Sequence, residues 1–132
     1  MISSNENDTI LVVDDSYAVC ELIEILLCRV GYRVLTAMSG RDALEIARGT
    51  PAIHLLLSNI EMPGLRGDEV AAEFATIHPS AAIVFLTSFE RSFQVAQPFE
   101  ILLKPFTVAE LRDSVRHALS TRPRHTDTPC AA

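Results

Sequence analysis

Short apolar runs alternate along this chain with longer stretches in which apolar residues recur at three- and four-residue spacing. Residues 9–13 are a continuous apolar run closed by Asp14-Asp15, the pattern of a buried strand. Val19, Leu22, Ile23, Leu26 and Val30 then recur at helical spacing, and Gly31 supplies a C-terminal stop. Residues 33–37 read as a second strand. Ser39, with Asp42 three residues on, opens a second helix that turns Leu44 and Ala47 inward and gives way at Gly49 and Pro51. Residues 54–58 form a third apolar run, followed by the Pro- and Gly-rich loop 59–67. Val70, Phe74 and Ile77 mark a third helix, stopped near Pro79. Residues 82–86 and 100–103 read as the fourth and fifth strands. Thr107-x-x-Glu110 is a capping box, and Val108, Leu111, Val115 and Leu119 give the last helix its apolar face.

Strands that alternate with helices imply parallel βαβ units and a sheet covered on both faces. Ligands of such sheets bind beyond the carboxyl ends of the strands, where the strand order reverses. The residues with chemistry to offer fall at those ends: Asp14 and Asp15 after the first strand, Asn59 after the third, Thr87 at the end of the fourth, and Lys104 after the fifth. If the strand order is 2-1-3-4-5, these come from neighbouring strands about 4.8 Å apart and can share one shallow pocket. Adjacent carboxylates repel each other unless a cation lies between them. Oxygen ligands completed by water suit Mg²⁺.

Composition narrows the picture. The chain has 132 residues, 48% hydrophobic and 21% charged, which fits one globular domain. Its net charge of -6 comes without a basic cluster, which argues against nucleic acid or an anionic membrane surface as direct partner. No apolar run reaches membrane-spanning length, and the polar segment 1–8 lacks the pattern of a leader. Cys20 and Cys28 fall about 12 Å apart on one helix, too far for a disulfide, and read as buried thiols. With Cys130 in a polar tail from residue 121 onward, the three cysteines suit a reducing, cytoplasmic setting. His54 has no plausible co-ligand and reads as structural.

Val12-Val13-Asp14-Asp15-Ser16, Ile60-Glu61-Met62-Pro63-Gly64, Thr87-Ser88 and Lys104-Pro105-Phe106 together resemble the receiver domain of two-component response regulators, over roughly residues 9–120. The resemblance implies a flavodoxin-like, doubly wound five-stranded parallel sheet of order 2-1-3-4-5. It also implies a cytoplasmic, non-enzymatic phosphorelay module whose partner is a histidine kinase or other signalling protein, with a homodimer as a further expectation. By the same resemblance, Asp14, Asp15 and Asn59 help hold Mg²⁺ with the backbone carbonyl of Glu61, and Thr87, Ser88 and Lys104 form the phosphate pocket.

Three departures stand against that pattern. Asn59 occupies the position of the phosphoacceptor aspartate. An amide is a poor nucleophile, so aspartyl phosphate is not expected there. Asn59 also removes a negative charge, which weakens Mg²⁺ and costs Lys104 an ionic partner. Ser58 is no substitute, because strand alternation points it away from the pocket. The side chain of Glu61 lies near enough to restore some of the lost charge. Ile101 stands where many receivers carry a Tyr or Phe that swings inward when the Thr engages phosphate; packing beneath the fifth strand is its simplest role. The stretch from Thr87 to Lys104 is short, so the helix region between the fourth and fifth strands is curtailed, with Phe89, Phe93 and Phe99 as core or as an exposed patch. The reading is a degenerate receiver that signals by protein contacts. The alternatives are an ordinary receiver whose acceptor has been exchanged for Asn, a piece of a larger regulator, and a flavodoxin-like nucleotide or flavin binder. The last lacks the Gly/Ser/Thr-rich turn that would cradle a phosphate after the first strand.

Overall fold

The computed structural model describes residues 7–88 and 100–122. In chain order the elements are β1 (Thr9–Val13), α1 (Tyr17–Val30), β2 (Arg33–Ala37), α2 (Gly40–Gly49), β3 (Leu55–Asn59), α3 (Gly67–Ile77), β4 (Ala82–Thr87), β5 (Glu100–Leu103) and α4 (Val108–Thr121). The strands form one parallel sheet, as the alternating pattern implied, in the order β2-β1-β3-β4-β5 that the resemblance implied. The strand order reverses between β1 and β3, and the crevice beyond their carboxyl ends is where this architecture places ligands.

Strand alternation divides the core in two. Ile10, Val12, Leu55, Leu57, Val84, Leu86 and Leu102 face Cys20, Ile23 and Leu27 of α1 and Leu111, Val115 and Leu119 of α4. Leu11, Val13, Leu56 and Phe85 face Ala43, Leu44 and Ala47 of α2 and Val70, Ala71 and Phe74 of α3. Burial on both faces explains why β1 and β3 read as continuous apolar runs rather than alternating ones.

Local chemistry closes the helices as expected. The Ser16 side chain caps α1 by accepting the Val19 N–H, and Gly31, at φ 115°, ends that helix in the left-handed conformation. Ser39 accepts the Asp42 N–H at 3.1 Å at the start of α2, and Thr107 and Glu110 form a reciprocal capping box on α4.

Several details differ from the sequence reading. Strand β3 runs 55–59 rather than 54–58, so Asn59 ends the strand instead of following it, and β4 extends through Thr87. On α1, Cys20, Ile23 and Leu27 are buried and Val19, Leu26 and Val30 pack partly buried against the same core, but Leu22 is exposed. Cys28 is exposed rather than buried. Val108 is also exposed, since it lies in the first turn of α4 beyond the sheet's cover. Ile101 does not pack beneath β5; it is 39% exposed on that strand. The curtailed helix region with Phe89, Phe93 and Phe99, and the tail with Cys130, lie outside the described residues. No helix among the described residues is long and apolar enough to cross a membrane.

Candidate functional site

The fold brings Asp14, Asp15, Asn59, Glu61, Thr87 and Lys104 to the carboxyl end of the sheet. Asp14 leaves β1 almost wholly buried, at 1% exposure. Its Oδ1 accepts the Ser16 N–H at 2.9 Å, so the residue that caps α1 also orients this carboxylate. Its Oδ2 accepts Lys104 Nζ at 2.9 Å, and the lysine side chain keeps 21% exposure. Lys104 is thus paired with the buried carboxylate of Asp14 rather than with position 59. Burying that carboxylate alone would be costly, and the lysine compensates it.

Asn59 is held from both sides. Its Nδ2 donates to the Glu61 backbone carbonyl at 2.8 Å and to Asp15 Oδ1 at 3.4 Å. Both acceptors lack a proton to give, so the NH₂ end of the amide is the end that faces them. The bond to Asp15 spans the crevice between β1 and β3. Backbone packing fixes the same residue from beneath. A side chain at Gly67 would collide with the Asn59 carbonyl oxygen, and the Gly67 N–H donates to the Ile60 carbonyl at 3.0 Å. Glycine therefore lets α3 begin against the backbone of position 59. Ser58, of opposite strand parity, donates its hydroxyl to the Asn59 carbonyl at 3.1 Å.

Thr87, at the end of β4, is fully buried and donates its hydroxyl to Glu61 Oε2 at 2.9 Å. Its carbonyl accepts the Lys104 N–H at 2.9 Å, which ties β4 to the residue that follows β5. Ser88 is exposed beside it. Below the pocket, the buried Cys20 thiol donates to the carbonyls of Asp14 and Ala37 at 3.3 and 3.6 Å. Burial, and then the negative charge of Asp14, push its pKa up, so it remains a neutral thiol and a donor.

The pocket has the kind of donors Mg²⁺ uses: two carboxylates and a backbone carbonyl. Their arrangement is another matter. The Asn59 NH₂ directs N–H groups at Asp15 and at the Glu61 carbonyl, where a cation would need oxygens free, and Lys104 already neutralises Asp14. Among the described residues no three His, Cys, Asp or Glu side chains converge as a metal cluster. As arranged, the donors fit the ion only in part, because Asn59 and Lys104 hold oxygens that it would need.

Sequence reasoning placed the strand-end residues but missed two contacts, Lys104 with Asp14 and Thr87 with Glu61. Gly67 had a visible signal, a glycine where a loop meets a helix. His54 lies at the other end of the sheet, where its Nδ1 accepts the Thr9 N–H at 2.9 Å.

Comparison with known proteins identifies the family and the fold. Residues 10–116 match the family model described as response regulator receiver domain. Sporulation initiation phosphotransferase F of Bacillus subtilis is 27% identical over 86% of this chain and 94% of its own length. A transcriptional regulatory protein ZraR, of Klebsiella oxytoca, is 30% identical over 97% of this chain, which spans only 31% of that protein. A response regulator receiver protein from Sinorhizobium medicae superposes with a TM-score of 0.79 at 30% identity, covering 89% of this chain and 98% of that one. The receiver domain of the hybrid histidine kinase CckA gives 0.75 at 31% identity, covering 84% and 98%. By fold, by the residues at its strand ends and by these relationships, the chain belongs to the response regulator receiver domain family.

Proposed function

We propose that this chain is a degenerate receiver, a regulatory module that works through protein contacts without forming an aspartyl phosphate. Receiver domains serve two-component signalling, where they meet histidine kinases and phosphotransferases and bind Mg²⁺ at their acidic site. The observation that carries the reading is the environment of Asn59. At the position matching the acceptor stands an amide whose nitrogen electrons are delocalised and whose N–H groups are engaged by Asp15 and Glu61. No carboxylate oxygen is presented there to attack phosphorus.

On this reading Asp14, Asp15 and the Glu61 carbonyl are the remnant of a metal site, and Mg²⁺ binds it more weakly than a pocket with an aspartate at position 59. Thr87, Ser88 and Lys104 are the remnant of a phosphate pocket. The unit runs from 9 to 120, is cytoplasmic and catalyses no reaction of its own. Its partner is a histidine kinase or another signalling protein rather than nucleic acid or membrane, and self-association into a homodimer belongs to the same reading.

The experiment is exposure of the purified chain to a small phosphodonor with Mg²⁺, read by intact mass. The wild-type chain keeps its mass, and Asn59→Asp gains one phosphoryl group. A phosphoryl group on the wild-type chain would overturn the proposal. No labelling of Asn59→Asp would mean that degeneracy extends beyond position 59.

A further inference from the structure

Glu61 has one role left over. The family scheme uses its backbone carbonyl, yet here the side chain engages the pocket too. Its Oε2 accepts the Thr87 hydroxyl at 2.9 Å while its carbonyl accepts Asn59 Nδ2 at 2.8 Å. One loop residue therefore joins the end of β3 to the end of β4.

The contacts close a ring. Lys104 Nζ holds Asp14, the next residue, Asp15, receives Asn59, and Asn59 holds the Glu61 carbonyl. The Glu61 carboxylate holds Thr87, whose own carbonyl accepts the Lys104 N–H. Within this ring, cation and anion roles are both filled from inside the chain. The Asn59 NH₂ and the Lys104 ammonium supply the positive ends, and Glu61 supplies an anionic oxygen to Thr87.

We infer that Glu61 is a tethered stand-in for the phosphoryl group toward Thr87, holding that hydroxyl to an anion without covalent modification. This rests on the reading that Asn59 takes no phosphoryl group. A carboxylate oxygen and a phosphoryl oxygen make the same demand on a hydroxyl, a short charge-assisted O–H···O⁻ bond. The difference is that Glu61 is part of the chain and does not come and go with a kinase. The junction of β4 with Lys104 is then set by sequence, and Glu61 is its positioning residue.

The test uses the full chain with ¹³C-labelled threonine methyl groups, the Thr87 resonance being assigned by its loss in Thr87→Ser. Glu61→Ala is expected to shift that resonance and to speed hydrogen exchange of the Lys104 amide by about fivefold, the weight of one ordinary hydrogen bond. Glu61→Gln, which keeps an acceptor but not the charge, is expected to restore both only in part, and full restoration would show that Thr87 needs no anion. A Thr87 resonance unmoved by Glu61→Ala, or moved equally by Ala and Gln, would overturn the inference. Intact mass after phosphodonor treatment of the same samples keeps the two readings apart. A gain on the wild-type chain counts against the phosphorylation-free reading, whereas an unmoved Thr87 counts against the role of Glu61.

Discussion

The two ends of this sheet each hold a cluster of charged and polar side chains, but the clusters serve different partners. At the amino end, His54 Nδ1 accepts the Thr9 N–H, and the His54 backbone bonds to Thr9 and Ala82. Asp8 lies 3.7 Å from the same imidazole nitrogen and accepts Arg122 at 3.4 Å, while its carbonyl accepts the Arg33 N–H. There the imidazole supports the backbone where strands begin. At the carboxyl end, Lys104, Asp14, Asn59, Asp15, Glu61 and Thr87 mainly satisfy one another's side chains. Side chains that satisfy each other can exchange a partner for a ligand without unpairing a strand. Burial and charge alone do not separate a structural cluster from a functional one; the identity of the satisfied groups does.

Breaking each cluster at its cation gives the largest contrast. Lys104→Met strands the Asp14 carboxylate in a buried position and is expected to cost about 3 kcal/mol in urea unfolding. Arg122→Ala removes a longer contact, 3.4 Å, with Asp8, whose side chain is 11% exposed against 1% for Asp14, and is expected to cost about 1 kcal/mol. Equal losses would erase the distinction between the two ends.

A smaller effect sharpens the comparison through pH. Burial lowers the pKa of His54 from 6.5, against the opposing pull of Asp8 and with help from Arg122 and His78. The folded state therefore favours neutral imidazole, which is the form that can accept the Thr9 N–H. Its contribution is fully present above 6.5 and is lost as pH falls through the lowered folded value. The stability difference between wild type and His54→Ala should shrink in mild acid, as measured by urea midpoints. A difference that grows on acidification would show that the imidazolium–Asp8 pair dominates instead.

Much of this was legible in the sequence, for physical reasons. Strands β1, β2 and β5 and the capping box at Thr107 follow from local pattern and local hydrogen bonds, which need no distant partner. Asp14, Asp15, Thr87 and Lys104 were legible because the parallel topology forces strand ends together. What could not be read was pairing. Lys104 meets Asp14 across ninety positions of sequence, and only the folded distances decide that pairing. Thr87 could equally have faced solvent until the loop placed Glu61 beside it. Helix α1 was legible except at Leu22, for a different reason. With Val19, Cys20, Leu22, Ile23, Ile25, Leu26 and Leu27 all apolar, more than one face could have been the buried one.

The central claim is that the Asn59 amide stands where a cation would otherwise be needed. A magnesium titration of the wild-type chain and of Asn59→Asp, followed by the backbone amide resonances of Asp15 and Glu61, tests it most directly. The account predicts saturable binding by Asn59→Asp and binding at least about tenfold weaker by the wild-type chain, the equivalent of about 1.4 kcal/mol. Equal affinities would show that the amide gives way to the ion and would contradict the claim.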